Sequence, residues 1–237
     1  MRALLLAGLV ALVAAPAGAA CRQALALGLD VSGSVDADEY RLQLDGLAGA
    51  LMQRDVQAAL LAIPDAPVRL HVFEWAGSGQ RRVLVPWTEV TDAGVLAAIA
   101  ARLTGTTRVP QDPGTALGEA MLAGAAALAE QPECWRRTLD ISGDGQSNSG
   151  PRPRDVRGDA LLAGVTVNAL VIVAPPPAVT RRPDAPISDL VAYFRFEVIQ
   201  GPDAFAEVAA GYADYEDAMA RKLLKELETM PMGALDR

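Results

Sequence analysis

Histidine is nearly absent from this chain, which holds one, His71, in 237 residues. A catalytic Ser–His or Cys–His pair needs an imidazole beside its nucleophile, and His71 lies inside a strand-like segment with neither nucleophile near it. Basic residues are also in deficit, 21 against 29 acidic, for a formal net charge of -8. That balance argues against nucleic acid and against anionic membrane surfaces as partners. Long apolar runs are missing beyond the first twenty residues, so no membrane span is expected after the amino-terminal segment. Cysteine is confined to Cys21 and Cys134. No internal repeat and no second domain is visible.

The amino-terminal segment itself is apolar. Arg2 supplies a positive start, Ala3 to Ala15 form the apolar stretch, and Pro16-Ala-Gly-Ala19 offers small residues for a peptidase. This pattern predicts a secretory signal peptide over residues 1–20 and a single domain over 21–237. Export places the protein in the periplasm or outside the cell, where thiols oxidise. Ala19-Ala20-Cys21 partly resembles a lipobox. Gly18 stands where a branched apolar residue is expected, which makes a lipid anchor at Cys21 the weaker alternative.

Hydrophobic residues make up 51% of the chain, enough for a full core. Ala24-Leu-Ala-Leu-Gly-Leu29 has the length and composition of a buried strand. Asp36-Ala-Asp-Glu39 has the form of a capping box and predicts a helix from Ala37 to Gln53, with Tyr40, Leu44, Leu47 and Leu51 on one face. Val68, Leu70 and Val72 alternate with Arg69, His71 and Phe73 as a second strand. Gly77-Ser-Gly79 reads as a hairpin turn, and Val83, Val85 and Trp87 as the next strand, which Pro86 confines to a sheet edge.

Further along, the pattern predicts helices over 92–103, 115–130, 155–164, 187–198 and 214–227, and strands over 137–142, 165–173 and 205–209. The last helix is acidic at its start and basic near its end, as the macrodipole favours. Ala174 to Pro186 holds five prolines with Arg181 and Arg182, and is expected to be a stiff, exposed loop. Strands alternating with helices imply an α/β fold: a doubly wound, mainly parallel six-stranded sheet with one antiparallel edge strand and helices on both faces.

Open α/β sheets bind ligands at the carboxyl ends of their strands. Right-handed crossovers bring three segments to that edge. Asp30-Val-Ser32-Gly-Ser34 follows the first strand, Gly114-Thr115 sits at a loop-to-helix junction, and Ser142-Gly-Asp144-Gly145 follows another core strand. A carboxylate and two hydroxyls at alternate positions are hard oxygen donors suited to a small divalent cation. Each residue also has an ordinary use. Asp30 and Ser34 can bond loop amides, Thr115 can cap a helix, and Asp144 before Gly145 is a turn dipeptide.

On these residues the chain resembles a von Willebrand factor A domain with a metal-ion-dependent adhesion site. That family carries Asp-x-Ser-x-Ser after its first strand, Gly-Thr ahead of a helix, and Asp-Gly after its fourth strand. The matches here are Asp30, Ser32 and Ser34, then Thr115, then Asp144, in the family order. Asp30-Val-Ser-Gly-Ser-Val-Asp36, Phe73-Glu-Trp-Ala-Gly77, Val85-Pro-Trp-Thr88 and Ile141-Ser-Gly-Asp-Gly145 further resemble a bacterial group of exported A-like proteins of undetermined function.

The resemblance implies a binding module, not an enzyme. Ser32, Ser34 and Thr115 would hold magnesium (or manganese or calcium) through their hydroxyls, with Asp30 and Asp144 acting through water or through hydrogen bonds to those hydroxyls. Such a site would attract a carboxylate on a protein partner, or another acidic ligand. The fold also implies that the strands before Asp30 and Asp144 are parallel neighbours. Cys21 precedes Asp30 by nine residues and Cys134 precedes Asp144 by ten, so a Cys21–Cys134 disulfide is expected at the opposite end of the sheet.

Two other functions compete. One is a metal-free interaction scaffold. The other, weaker, is a magnesium-dependent hydrolase, which would need a second carboxylate where Ser32 stands. Glu74, Trp75 and His71 are read as packing residues. Arg181 and Arg182 serve either solubility or recognition of an anionic group.

Overall fold

The computed structural model describes residues 20–173 and 189–228. The expected signal peptide, all but Ala20, and the stretch with Arg181 and Arg182 lie outside the described residues. Six strands build one sheet: β1 (Cys21–Asp30), β2 (Val68–Trp75), β3 (Arg81–Val90), β4 (Cys134–Gly143), β5 (Thr166–Ile172) and β6 (Ala206–Ala209). Their order is β3-β2-β1-β4-β5-β6. Neighbours pair in parallel except β3, which runs antiparallel to β2 at the edge, where Pro86 is tolerated.

The pleat divides the core in two. Along β1, Leu25, Leu27 and Leu29 face one layer while Ala24 and Ala26 face the other, as period two requires. Helices α1 (Ala37–Met52), α3 (Ala93–Thr104) and α7 (Tyr215–Leu227) cover the leucine side, together with the short α2 (Arg54–Leu60). Helix α4 (Leu117–Ala129) covers the alanine side. Small residues on that side of β1 let α4 lie close.

Asp36 caps α1 as expected, accepting from the N–H groups of Asp38 and Glu39, while Glu39 accepts from the Asp36 N–H. The helix expected over 155–164 does not form in one piece. A single turn, α5 (Pro153–Val156), and a 3-10 turn at Ala160–Leu162 replace it. Asp159 accepts from the Leu161 N–H and starts the second turn afresh, so the local cap wins over continuation. The segment expected as a helix over 187–198 is α6 (Asp189–Tyr193) running into a π-helical turn at Phe194–Val198.

Lys222 is the clearest departure from the sequence reading. It does not serve the carboxyl end of α7 at the surface but is fully buried, with Nζ 2.6 Å from Asp140 and 2.5 Å from Glu226. Asn168 Nδ2 donates to the same Glu226 carboxylate at 2.7 Å. Cys21 and Cys134 open β1 and β4 as register partners and are bonded, with their Cα atoms 4.4 Å apart.

Candidate functional site

The carboxyl ends of β1 and β4 meet at Asp30 and Asp144. Strand β1 delivers Asp30 fully buried, and Gln43 on α1 donates to its carbonyl at 3.0 Å. Asp30 Oδ1 accepts from the Ser32 N–H at 2.8 Å, which curls the loop so that both serine hydroxyls rise on the same side. Their oxygens lie 3.2 Å apart, and Ser34 donates to Asp144 Oδ1 at 2.6 Å. Residues far apart in sequence therefore converge into one oxygen cluster.

Thr115 arrives on a separate loop. The Gly33 N–H donates to the Pro113 carbonyl at 3.0 Å, which docks this loop against the serines. Asn148 Oδ1 accepts from the Thr115 N–H at 2.8 Å, and the Thr115 carbonyl accepts from the Asn148 N–H and the Ser147 hydroxyl. Ala116, not Thr115, stands at the α4 N-cap, and no side chain caps that helix. Its free amide groups add positive potential at the site. Gly118 permits the arrangement: a Cβ there would sit 2.2 Å from the Pro151 carbonyl oxygen, so only glycine lets the loop after β4 pass so close to α4.

The electrostatics favour a cation. Asp30 Oδ2 is buried without a hydrogen-bond partner. Burial, reinforced by the Asp144 charge, pushes the Asp30 carboxyl up to about 7 against the hydrogen bonds from Ser32 and from the Asp144 backbone. A buried carboxylate with an orphaned oxygen, two adjacent hydroxyls and a second carboxylate form a donor set that a small divalent ion would complete. Among the described residues no group of three His, Cys, Asp or Glu side chains offers a softer metal site.

Several residues around the site were missed. Arg108 donates to the carbonyls of Val31, Ser32 and Val35 and so grips the serine loop, with its guanidinium over the Tyr40 ring. Glu74, read only as packing, accepts from the Tyr40 hydroxyl at 2.5 Å and faces Arg82. Burial raises its pKa, opposed by that bond and by Arg82 and Arg108. The Tyr212 hydroxyl is buried near Asp144 and Asp30. Only Gln43 had a sequence signal, a polar residue beside Leu44 and Leu47 on an apolar helix stripe.

Residues 20–231 match a family model described as "Protein of unknown function (DUF1194)". The chain belongs to this family. No curated protein matches it. Solved structures do, and they show that this DUF1194 chain has a von Willebrand factor A-like fold. A von Willebrand factor type A protein from Catenulispora acidiphila aligns with TM-score 0.56 at 16% identity, over 87% of this chain and 43% of that one. Proximal thread matrix protein 1 from the mussel byssus, described with a zinc-occupied MIDAS motif, aligns with TM-score 0.61 at 12% identity, over 86% and 48%. The pilus adhesin SpaC from Lactobacillus rhamnosus GG aligns with TM-score 0.58 at 16% identity, over 88% and 31%. The chain thus spans less than half the length of each of these proteins. Among the described residues no helix is long and apolar enough to cross a membrane.

Proposed function

We propose that this chain is an exported, non-catalytic module that binds an acidic group of a protein, or another anionic ligand, through a divalent cation. The hydroxyls of Ser32, Ser34 and Thr115 would hold the ion, with Asp30 and Asp144 behind them. Neutral hydroxyl ligands would leave such an ion under-neutralised, and its remaining charge would favour an outside carboxylate. Magnesium suits this oxygen set, and manganese and calcium are substitutes; the zinc named for the byssus protein makes zinc a further candidate.

The observation that carries the reading is the Ser34–Asp144 bond at 2.6 Å beside the orphaned Asp30 oxygen. Nothing about a turn requires a fully buried carboxylate whose second oxygen is unused. The Cys21–Cys134 bond supports an oxidising compartment. A second reading, the metal-free scaffold, draws on one fact: the serine and Asp144 side chains already bond one another.

Calorimetric titration with magnesium, manganese and zinc separates the two. Saturable binding is expected, weakened about 10–100-fold in Asp144→Ala and Ser34→Ala. Absence of both binding heat and thermal stabilisation with every ion would establish the scaffold instead.

A further inference from the structure

The loop between α3 and α4 carries Thr115, and arginines stitch it to its surroundings. Arg41 on α1 donates to the Thr106 carbonyl at 2.8 Å, and Arg82 on β3 donates to the Thr107 carbonyl at 3.0 Å. Those two hold the loop from outside. Arg108 belongs to the loop and reaches the other way. Its Nη1 donates to the Val35 carbonyl at 2.5 Å, and its Nη2 donates to the carbonyls of Val31 and Ser32 at 3.2 and 3.3 Å. One guanidinium therefore brackets Ser32 and Ser34 and ties their loop to the chain that leads to Thr115.

Arg108 is itself held in place. Its guanidinium lies 5.7 Å from the centre of the Tyr40 ring, whose hydroxyl donates to the buried Glu74 carboxylate. The charges of Arg82 and Arg108 both favour the ionised form of Glu74. An ammonium could not take this role, because it is a point charge on a flexible stem. The guanidinium is a planar fork that donates in several fixed directions.

The consequence falls on the carbonyls. Those of Val31, Ser32 and Val35 are engaged by Arg108, and that of Ser32 also accepts from the Val35 N–H at 3.2 Å. Calcium gathers about six to eight oxygens, backbone carbonyls among them, in a flexible shell, whereas magnesium demands a compact octahedron. With these three carbonyls bonded elsewhere, the serine loop cannot lend them to a larger ion. Its clamped backbone cannot spread to fit one either.

We propose that Arg108 sets the choice of cation at this centre, confining it to a small octahedral ion and disfavouring calcium. This rests on the divalent-cation reading above and adds to it the residue that selects the ion. Arg108 bonds carbonyls and not the hydroxyls of the centre, so it is a positioning residue.

Calorimetric titration with magnesium and with calcium, on the wild type, Arg108→Gln and Arg108→Lys, tests this through the ratio of the two affinities. The wild type should bind magnesium about tenfold more tightly than calcium or better. Arg108→Gln releases the three carbonyls and should raise the calcium-to-magnesium ratio about tenfold. Arg108→Lys keeps the charge without the fork and should move the ratio the same way by about threefold or more. A merely structural residue would weaken both ions alike and leave the ratio where it was. An unchanged ratio in Arg108→Gln would overturn the proposal and leave the cation reading standing. A wild-type ratio in Arg108→Lys would overturn the clamp by assigning the effect to charge. Should Arg108→Gln fail to fold, the lysine variant and the wild type still decide, because a wild type that takes calcium as tightly as magnesium overturns the proposal alone. A wild type that binds neither ion would remove the cation reading, and this inference with it.

Discussion

Lys222→Met removes the only cation from a buried acidic pair while keeping a stem of similar length. Lys222, Asp140, Glu226 and Asn168 are each no more than 2% exposed, and Lys222 Nζ touches both carboxylates. Breaking a buried ion pair from one side costs about 3–5 kcal/mol, because the remaining charge stays in the core unpaired. Against a typical domain stability of about 5–15 kcal/mol, that is a large share. Urea unfolding followed by circular dichroism would measure it, with an unchanged slope showing that the same surface is exposed.

The pH dependence gives the sign. Burial, strengthened by Glu226 and opposed by Lys222, already pushes the Asp140 carboxyl up to about 7. A carboxyl raised on folding favours the folded state below its unfolded pKa, and that advantage disappears as pH rises through the folded value. Without Lys222 the Asp140 carboxyl rises further, so the variant's deficit should shrink from pH 8 to pH 5. Adding Asp140→Asn and Glu226→Gln should restore at least half of the loss. A loss below about 1 kcal/mol, or one independent of pH, would refute the reasoning.

Two further outcomes follow from the fold. Reducing the Cys21–Cys134 bond, which spans 113 residues, should cost about 4 kcal/mol and lower the melting temperature; a thermal melt with and without reductant checks this. Gly118→Ala places a methyl against the Pro151 backbone and should cost about 1–3 kcal/mol while displacing the loop that carries Asp144. Unfolding and cation titration of that variant should therefore change together, and an unchanged affinity would show that the loop tolerates the shift.

Much of this was readable in the chain because the informative residues act locally. Asp36 and Glu39 cap a helix by themselves, Pro86 forbids an interior strand, and the apolar run before Asp30 fixes which end of a strand it occupies. The pairing of Cys21 with Cys134 followed once β1 and β4 were neighbours. What stayed hidden depends on partners distant in sequence. Arg108 reaches carbonyls more than seventy residues earlier, and Lys222 owes its burial to Asp140 on another strand. The break between α1 and α2 at Gln53 has no glycine or proline to announce it; the residue simply turns extended. His71 read as packing, and a groove beside it exists only once α4 supplies alanines opposite.

The strands that end in Asp30 and lead to Asp144 are also the two welded together at their first residues. Slipping one ladder past the other by a single residue would move it about 3.3 Å and swap its inward and outward faces. The covalent joint removes that freedom from its own end, on the order of 30 Å from the oxygen cluster. The spacing of the two acids is thereby held like marks on a ruler clamped at its far tip, and reductant would loosen that clamp without touching a residue of the oxygen cluster.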